Sequence, residues 1–151
     1  MIRALRPSDV LPLAAELARL PLLVRYRRDA ARIARDLEEA LGRGDGLLVD
    51  DRDGRPRALA WFQRGGTLGV GGYLRLLAVS AEATGEGIGA ALLAAFEAEV
   101  ARESRHAFLL VSDFNEGAQR FYERHGWARA GALPGLVLPD VVELVYWKRL
   151  R

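Results

Sequence analysis

Gly85, Gly87 and Gly89 stand at alternate positions just after the apolar run Leu76-Leu77-Ala78-Val79, and Ile88-Gly89-Ala90-Ala91-Leu92-Leu93 reads as the opening of a helix. Alternating glycines leave backbone N–H groups uncovered by side chains and allow φ > 0. With the positive end of a helix behind them, they form a socket for a phosphate or pyrophosphate. A dinucleotide fingerprint, G-x-G-x-x-G/A, is formally present as Gly85, Gly87 and Ala90, with Asp113 downstream near the place of a ribose-binding acid. Its context argues against it. That fingerprint sits in the tight turn directly after its strand, whereas residues 80–84 separate Val79 from Gly85.

A second constellation lies downstream. Residues 106–111, His-Ala-Phe-Leu-Leu-Val, read as a buried strand. The next segment reads as a short helix capped by Asn115 and stopped by Gly126, with Arg124 and His125 suiting its negative end. Asn115, Ala118 and Tyr122 are spaced i, i+3 and i+7 and share one helical face. A polar cap, a small residue and a phenol on one face suit a ligand arm lying along the helix.

These two segments resemble motifs A and B of the GNAT superfamily of N-acetyltransferases. Motif A is written R/Q-x-x-G-x-G/A, and Thr84-Gly85-Glu86-Gly87-Ile88-Gly89 aligns with it. Motif B commonly reads N-x-x-A-x-x-x-Y-x-x-x-G-F/W, and Asn115, Ala118, Tyr122, Gly126 and Trp127 match at every position. The resemblance is firm over residues 73–127 and looser elsewhere. One departure stands out: Thr84 replaces the usual Arg or Gln, and Glu86 adds a negative charge to the loop, so pyrophosphate contact would rest on backbone N–H groups.

The resemblance implies transfer of an acetyl group from acetyl-coenzyme A, as cosubstrate, to a primary amine of a small molecule or peptide in a ternary complex; no metal is expected, because the chain has no cysteine and its two histidines are far apart in sequence. It implies that backbone groups of Leu77, Ala78 and Val79 hold the thioester. Thr84, Gly85, Glu86, Gly87, Ile88, Gly89 and Ala90 would hold the pyrophosphate, and Asn115, Ala118 and Tyr122 the pantetheine side. Tyr122 would donate a proton to the departing thiolate, which suits ordinary pKa values of ~10 for tyrosine and ~8.5 for a thiol; its plainer role is packing. Residues 73–79 contain no acid, so Asp113, otherwise a turn former, is the candidate base. Glu82 is a weaker candidate, and a water chain to solvent is an open alternative. His106 and His125 are expected to be structural. Arg25, Tyr26, Arg27 and Arg28 fall where relatives shape the acceptor pocket, although a solvated helix start is their simpler reading. The rival to the enzyme reading is a non-catalytic coenzyme A-binding or sensor domain of the same fold.

Composition bounds these readings. The 151 residues fit one domain, 1–151, with a substantial core. A net charge of +2 gives little support to a nucleic-acid partner. The absence of cysteine excludes disulfides and thiolate chemistry. No apolar run approaches the ~20 residues of a membrane span, and no signal-peptide core is present, so the expectation is a cytoplasmic protein without membrane contact. Many relatives in the family form dimers, which leaves a homodimer open.

The elements that must position the motifs follow from periodicity and turn signals. A strand over 2–6 precedes helices over 10–20 and 29–41, separated by a break at Pro21. Residues 46–50 and 57–64 form a hairpin across Asp51-Asp53-Gly54, Gly65-Gly66 turns the chain, and 68–79 is a longer strand. Ile88, Leu92, Phe96 and Val100 stripe the motif A helix, and strands near 127–133 and 141–148 close the chain around a loop at 134–139. The order βααβββαβαββ predicts a GNAT-like α/β (α+β) fold. In it a mixed, mostly antiparallel sheet of six to seven strands is flanked by about four helices, with parallel strands 73–79 and 106–111 splayed at one end.

Overall fold

The computed structural model describes all residues, 1–151. Seven strands form one mixed sheet: β1 (Ile2–Ala4), β2 (Gly46–Arg52), β3 (Arg55–Thr67), β4 (Gly71–Val79), β5 (His106–Ser112), β6 (Ala128–Pro134) and β7 (Val142–Arg149). Their order is β1-β2-β3-β4-β5-β7-β6. Five α-helices accompany them: α1 (Val10–Leu17), α2 (Pro21–Arg25), α3 (Ala30–Arg43), α4 (Ile88–Val100) and α5 (Glu116–Arg124). No helix is long and apolar enough to cross a membrane. The chain divides into two compact units, residues 1–62 with 76–96 and residues 63–75 with 97–151.

In the first unit, Asp29 caps α3 by accepting from Arg32 N–H at 2.8 Å, and Gly44 ends it in the left-handed conformation at φ 79°. The helix buries Ile33, Ala34, Leu37 and Ala40, the stripe its sequence period demands. These pack with Leu13 and Leu17 of α1 and with Val49 and Leu59 of the sheet. Asp53 and Gly54 have φ 56° and 79°, so the β2–β3 connection is the two-residue turn that their sequence signals. A buried ion pair fastens β1: Arg3 grips Asp9 with two bonds of 2.7 and 3.0 Å and Asp51 with a third of 2.7 Å. The break expected at Pro21 holds a helix of its own, because proline at a first helical position costs no hydrogen bond.

In the second unit, β5 pairs in parallel with β4 from Gly71↔His106 to Leu74↔Leu109, and antiparallel with β7 along its whole length. The ladder between β4 and β5 ends at Leu74↔Leu109. Two boundaries differ from expectation. Strand β3 continues through Gly65 and Gly66 to Thr67, and the chain reverses instead at residues 68–70. Leu68 and Gly69 there have φ 50° and 75°. Strand β4 begins at Gly71 because this glycine is a packing position: a Cβ on it would collide with the His106 carbonyl.

Candidate active site

The glycine loop belongs to the first unit. After β4, residues 81–83 form a single 3-10 turn, and Thr84 Oγ1 donates to the Ser80 carbonyl at 3.3 Å. Ala83 and Ile88 are buried, whereas Thr84, Gly85, Glu86 and Gly87 are exposed between them. Gly85 and Gly87 adopt φ 87° and 78°, conformations that L side chains rarely take. Gly87 carbonyl accepts the first helical bond of α4 from Ala91 N–H at 3.1 Å. The N–H groups of the first turn, including Gly89 and Ala90, therefore have no intrahelical acceptor, and they point out of the positive end of the helix. Leu77, Ala78 and Val79 are the last residues of β4; Ala78 is buried and its neighbours are partly so.

Glu86 is not a lone charge in this loop. Its carboxylate meets Arg52 at 3.0 Å and Arg57 at 3.1 Å, and Arg57 also holds Asp50 at 3.0 Å. The sequence reading missed both arginines, because their partner lies about thirty residues away and no local spacing marks the pair.

The motif B helix belongs to the second unit. Asn115 Oδ1 accepts from Ala118 N–H at 3.2 Å, so the helix cap is as expected. Tyr122 is 8% exposed, on the same helical face as Asn115 and Ala118. Its ring packs edge-on against Phe121 and Trp127, with centroids 5.2 and 6.1 Å away. Its hydroxyl makes no hydrogen bond to the protein and is not fully sealed from solvent. A buried ring thus carries an uncommitted O–H. Burial pushes this phenol well above the ordinary tyrosine range, so it keeps its proton throughout the working pH range. That corrects the expectation of an acid with an ordinary pKa.

Asp113 lies in the loop between β5 and α5. Gln119 Nε2 ties this loop by donating to the Asp113 and Ser112 carbonyls at 3.0 and 3.3 Å. Asp113 N–H donates to the Val142 carbonyl at 2.9 Å, whereas its carboxylate is exposed and accepts no hydrogen bond. The turn is therefore held by main chain and Gln119, not by the acid. The nearby Glu143 is a buried carboxylate that the sequence reading passed over; it sits opposite Ser112 across β5 and β7. Alternation within an apolar strand hides a single inward acid.

Both histidine rings are engaged within the protein. Trp147 Nε1 donates to His106 Nδ1 at 3.0 Å, and His125 Nδ1 lies 2.7 Å from the Phe121 carbonyl in the last turn of α5. The arginine cluster corrects its simpler reading too: Arg25 ends α2, Arg27 takes a left-handed φ of 56°, and Arg28 pairs with Asp36 at 3.3 Å. They close a helix instead of starting one. Glu82 is exposed and borders a shallow cleft with Glu16, Arg55 and Arg57.

No curated protein matches the sequence. By shape the chain is similar to an aminoglycoside 6'-N-acetyltransferase solved with coenzyme A, at TM-score 0.82 and 17% identity, covering 100% of this chain and 97% of that one. It is also similar to an N-acetyltransferase from Staphylococcus aureus Mu50, at TM-score 0.78 and 17% identity over 100% and 98% of the two chains. A ribosomal-protein-alanine N-acetyltransferase from Brucella melitensis gives TM-score 0.76 and 20% identity over 99% of each. At such identities the likeness establishes the fold. The family is established by the acetyltransferase (GNAT) family model, which matches residues 13–127 and so takes in both the glycine loop and the tyrosine helix. The chain belongs to the GNAT family and is an acyltransferase.

Proposed function

We propose that this enzyme moves an acetyl group from acetyl-coenzyme A directly to a primary amine while both are bound. The observation that carries the reading is the uncommitted hydroxyl of buried Tyr122, on the helix whose cap and face match motif B. The coenzyme A complex of the similarly folded aminoglycoside 6'-N-acetyltransferase supports the choice of donor.

In this reading the glycine loop takes the pyrophosphate on backbone N–H groups and the positive end of α4. The end of β4, at Leu77, Ala78 and Val79, orients the thioester. The neutral amine attacks the carbonyl carbon, the C–N bond forms, and the C–S bond breaks. The proton lost by the nitrogen passes to the Asp113 carboxylate and on to solvent. The departing sulfur takes the Tyr122 proton, and the phenol is reprotonated from water. A phenol held above its ordinary pKa is a reluctant acid towards bulk water, but the proton is present at every working pH and is delivered as sulfur charge develops.

Thiol release from acetyl-coenzyme A, followed against a panel of amino acids, polyamines, aminoglycosides and peptide N-termini, tests the reading. Release that depends on both substrates, with an acetylated product by mass spectrometry, supports it. Tight coenzyme A binding with no turnover on any amine would instead mark a binding domain.

A further inference from the structure

We propose that Glu86 is a positioning residue that tethers the phosphate loop to the β2–β3 hairpin, strengthening coenzyme A binding in spite of its negative charge. The inference rests on coenzyme A occupying the glycine loop, as proposed above. Simple electrostatics predicts the opposite sign, because an acid beside a pyrophosphate should repel it.

Two observations decide between the signs. First, the charge is already answered. Arg52 and Arg57 meet the two carboxylate oxygens separately, at 3.0 and 3.1 Å, and Arg57 is itself fixed by Asp50. Glu86 and Asp50 are matched by Arg52 and Arg57, and the Met1 ammonium lies 3.3 Å from Asp50, so the cluster carries no net negative charge to repel a pyrophosphate. Second, the loop has few other holds. A Cβ on Gly85 or Gly87 would meet no protein atom within 4 Å, so nothing packs on either glycine. Between buried Ala83 and Ile88, only Thr84 Oγ1 and the Glu86 carboxylate anchor side chains. Glycine loses more conformational freedom on ordering than any other residue. Untethered, the Gly85–Gly87 segment would spend most of its time away from the shape that presents its N–H groups.

The hold also explains the reach of Arg57. Its carbonyl accepts from Ser80 N–H at 2.8 Å, so the strand that carries the guanidinium also pins the start of the connection from β4 to α4. One residue thus fixes the loop at its entrance through the main chain and at its middle through Glu86.

The test measures coenzyme A affinity by calorimetry for wild type, Glu86→Gln and Glu86→Ala, with Arg52→Ala as a variant that leaves the Glu86–Arg57 pair in place. If the competent loop population falls to roughly a tenth, Glu86→Ala binds about tenfold more weakly. Glu86→Gln, which keeps the shape and one acceptor, falls between, and Arg52→Ala loses less than Glu86→Ala. Turnover at saturating acetyl-coenzyme A stays at the wild-type level while KM rises, a split that general misfolding does not produce. Equal or tighter binding by Glu86→Ala would overturn the tether. Failure of the wild type to bind coenzyme A would overturn the cofactor reading itself, a result separable from the first.

Discussion

Tyr122 and Tyr146 lie with ring centroids 6.5 Å apart, yet their hydroxyls have different fates. Tyr146 Oη donates to Glu123 at 3.2 Å, whereas the Tyr122 hydroxyl has no partner in the protein. One phenol is used to hold α5 against β7; the other is left available. Tyr146→Phe should therefore cost about 1 kcal/mol of stability, the usual net worth of one hydrogen bond. That corresponds to a Tm lower by about 2–4 °C in a domain of this size. Turnover should be unchanged. A loss of turnover at constant stability would show that the wrong tyrosine has been assigned.

The Arg3 cluster should contribute stability that is lost in acid. The side-chain bond from Arg3 holds the Asp9 carboxyl below the usual carboxylate range, and the same arginine lowers Asp51. A folded-state pKa below the unfolded value means the unfolded chain binds more protons as pH falls. The stabilisation is therefore full above about pH 4 and is lost on further acidification. Arg3→Met should lower Tm at pH 7 and narrow the difference in Tm between pH 7 and pH 3. Thermal unfolding across that range checks both; an unchanged difference would mean the cluster does not govern the acid limb.

Gly87→Val separates the phosphate site from the fold. A Cβ at this position meets no protein atom within 4 Å, but φ is 78° and the space it enters is where the proposed pyrophosphate would lie. The protein should fold with a modest loss of Tm, because the added Cβ meets no protein atom. Coenzyme A affinity should fall by about ten- to a hundredfold, the worth of one or two hydrogen bonds to a charged group. Unchanged calorimetric affinity in the folded variant would place the phosphates elsewhere.

Much of this was legible in the sequence because it is local. The Asn115 cap, the i, i+3, i+7 face and the stop at Gly126 depend on residues within one helix, so spacing alone defines them. The Asp53-Gly54 turn was legible for the same reason. What escaped was tertiary or ambiguous. Glycine marks a turn, a bulge or a close packing contact equally well, so Gly65-Gly66 signals a reversal in the sequence while the real one, at 68–70, carries a left-handed leucine. The grip of Arg57 on Glu86 joins a strand to a distant loop and leaves no periodic trace.

Asp113→Asn tests the path of the amine proton. General base catalysis is typically worth ~10²–10⁴-fold, and a carboxylate that already faces solvent should lie at the low end. The expected result is a fall in kcat/KM of about a hundredfold, with KM for acetyl-coenzyme A unchanged. Wild-type kcat/KM in the variant would assign the proton directly to water.

Single-turnover acetyl transfer by Tyr122→Phe, compared with wild type from pH 6 to 10, decides whether the phenol supplies the thiolate's proton. The substitution keeps the ring and its contacts with Phe121 and Trp127, so coenzyme A affinity and Tm should hold. The rate of the chemical step should fall by ~10²–10⁴-fold. Because burial raises the Tyr122 pKa, the wild-type rate should show no loss from phenol ionisation up to pH 10. A Tyr122→Phe protein that transfers acetyl at the wild-type rate across this range would leave the phenol as packing and water as the source of the thiolate's proton.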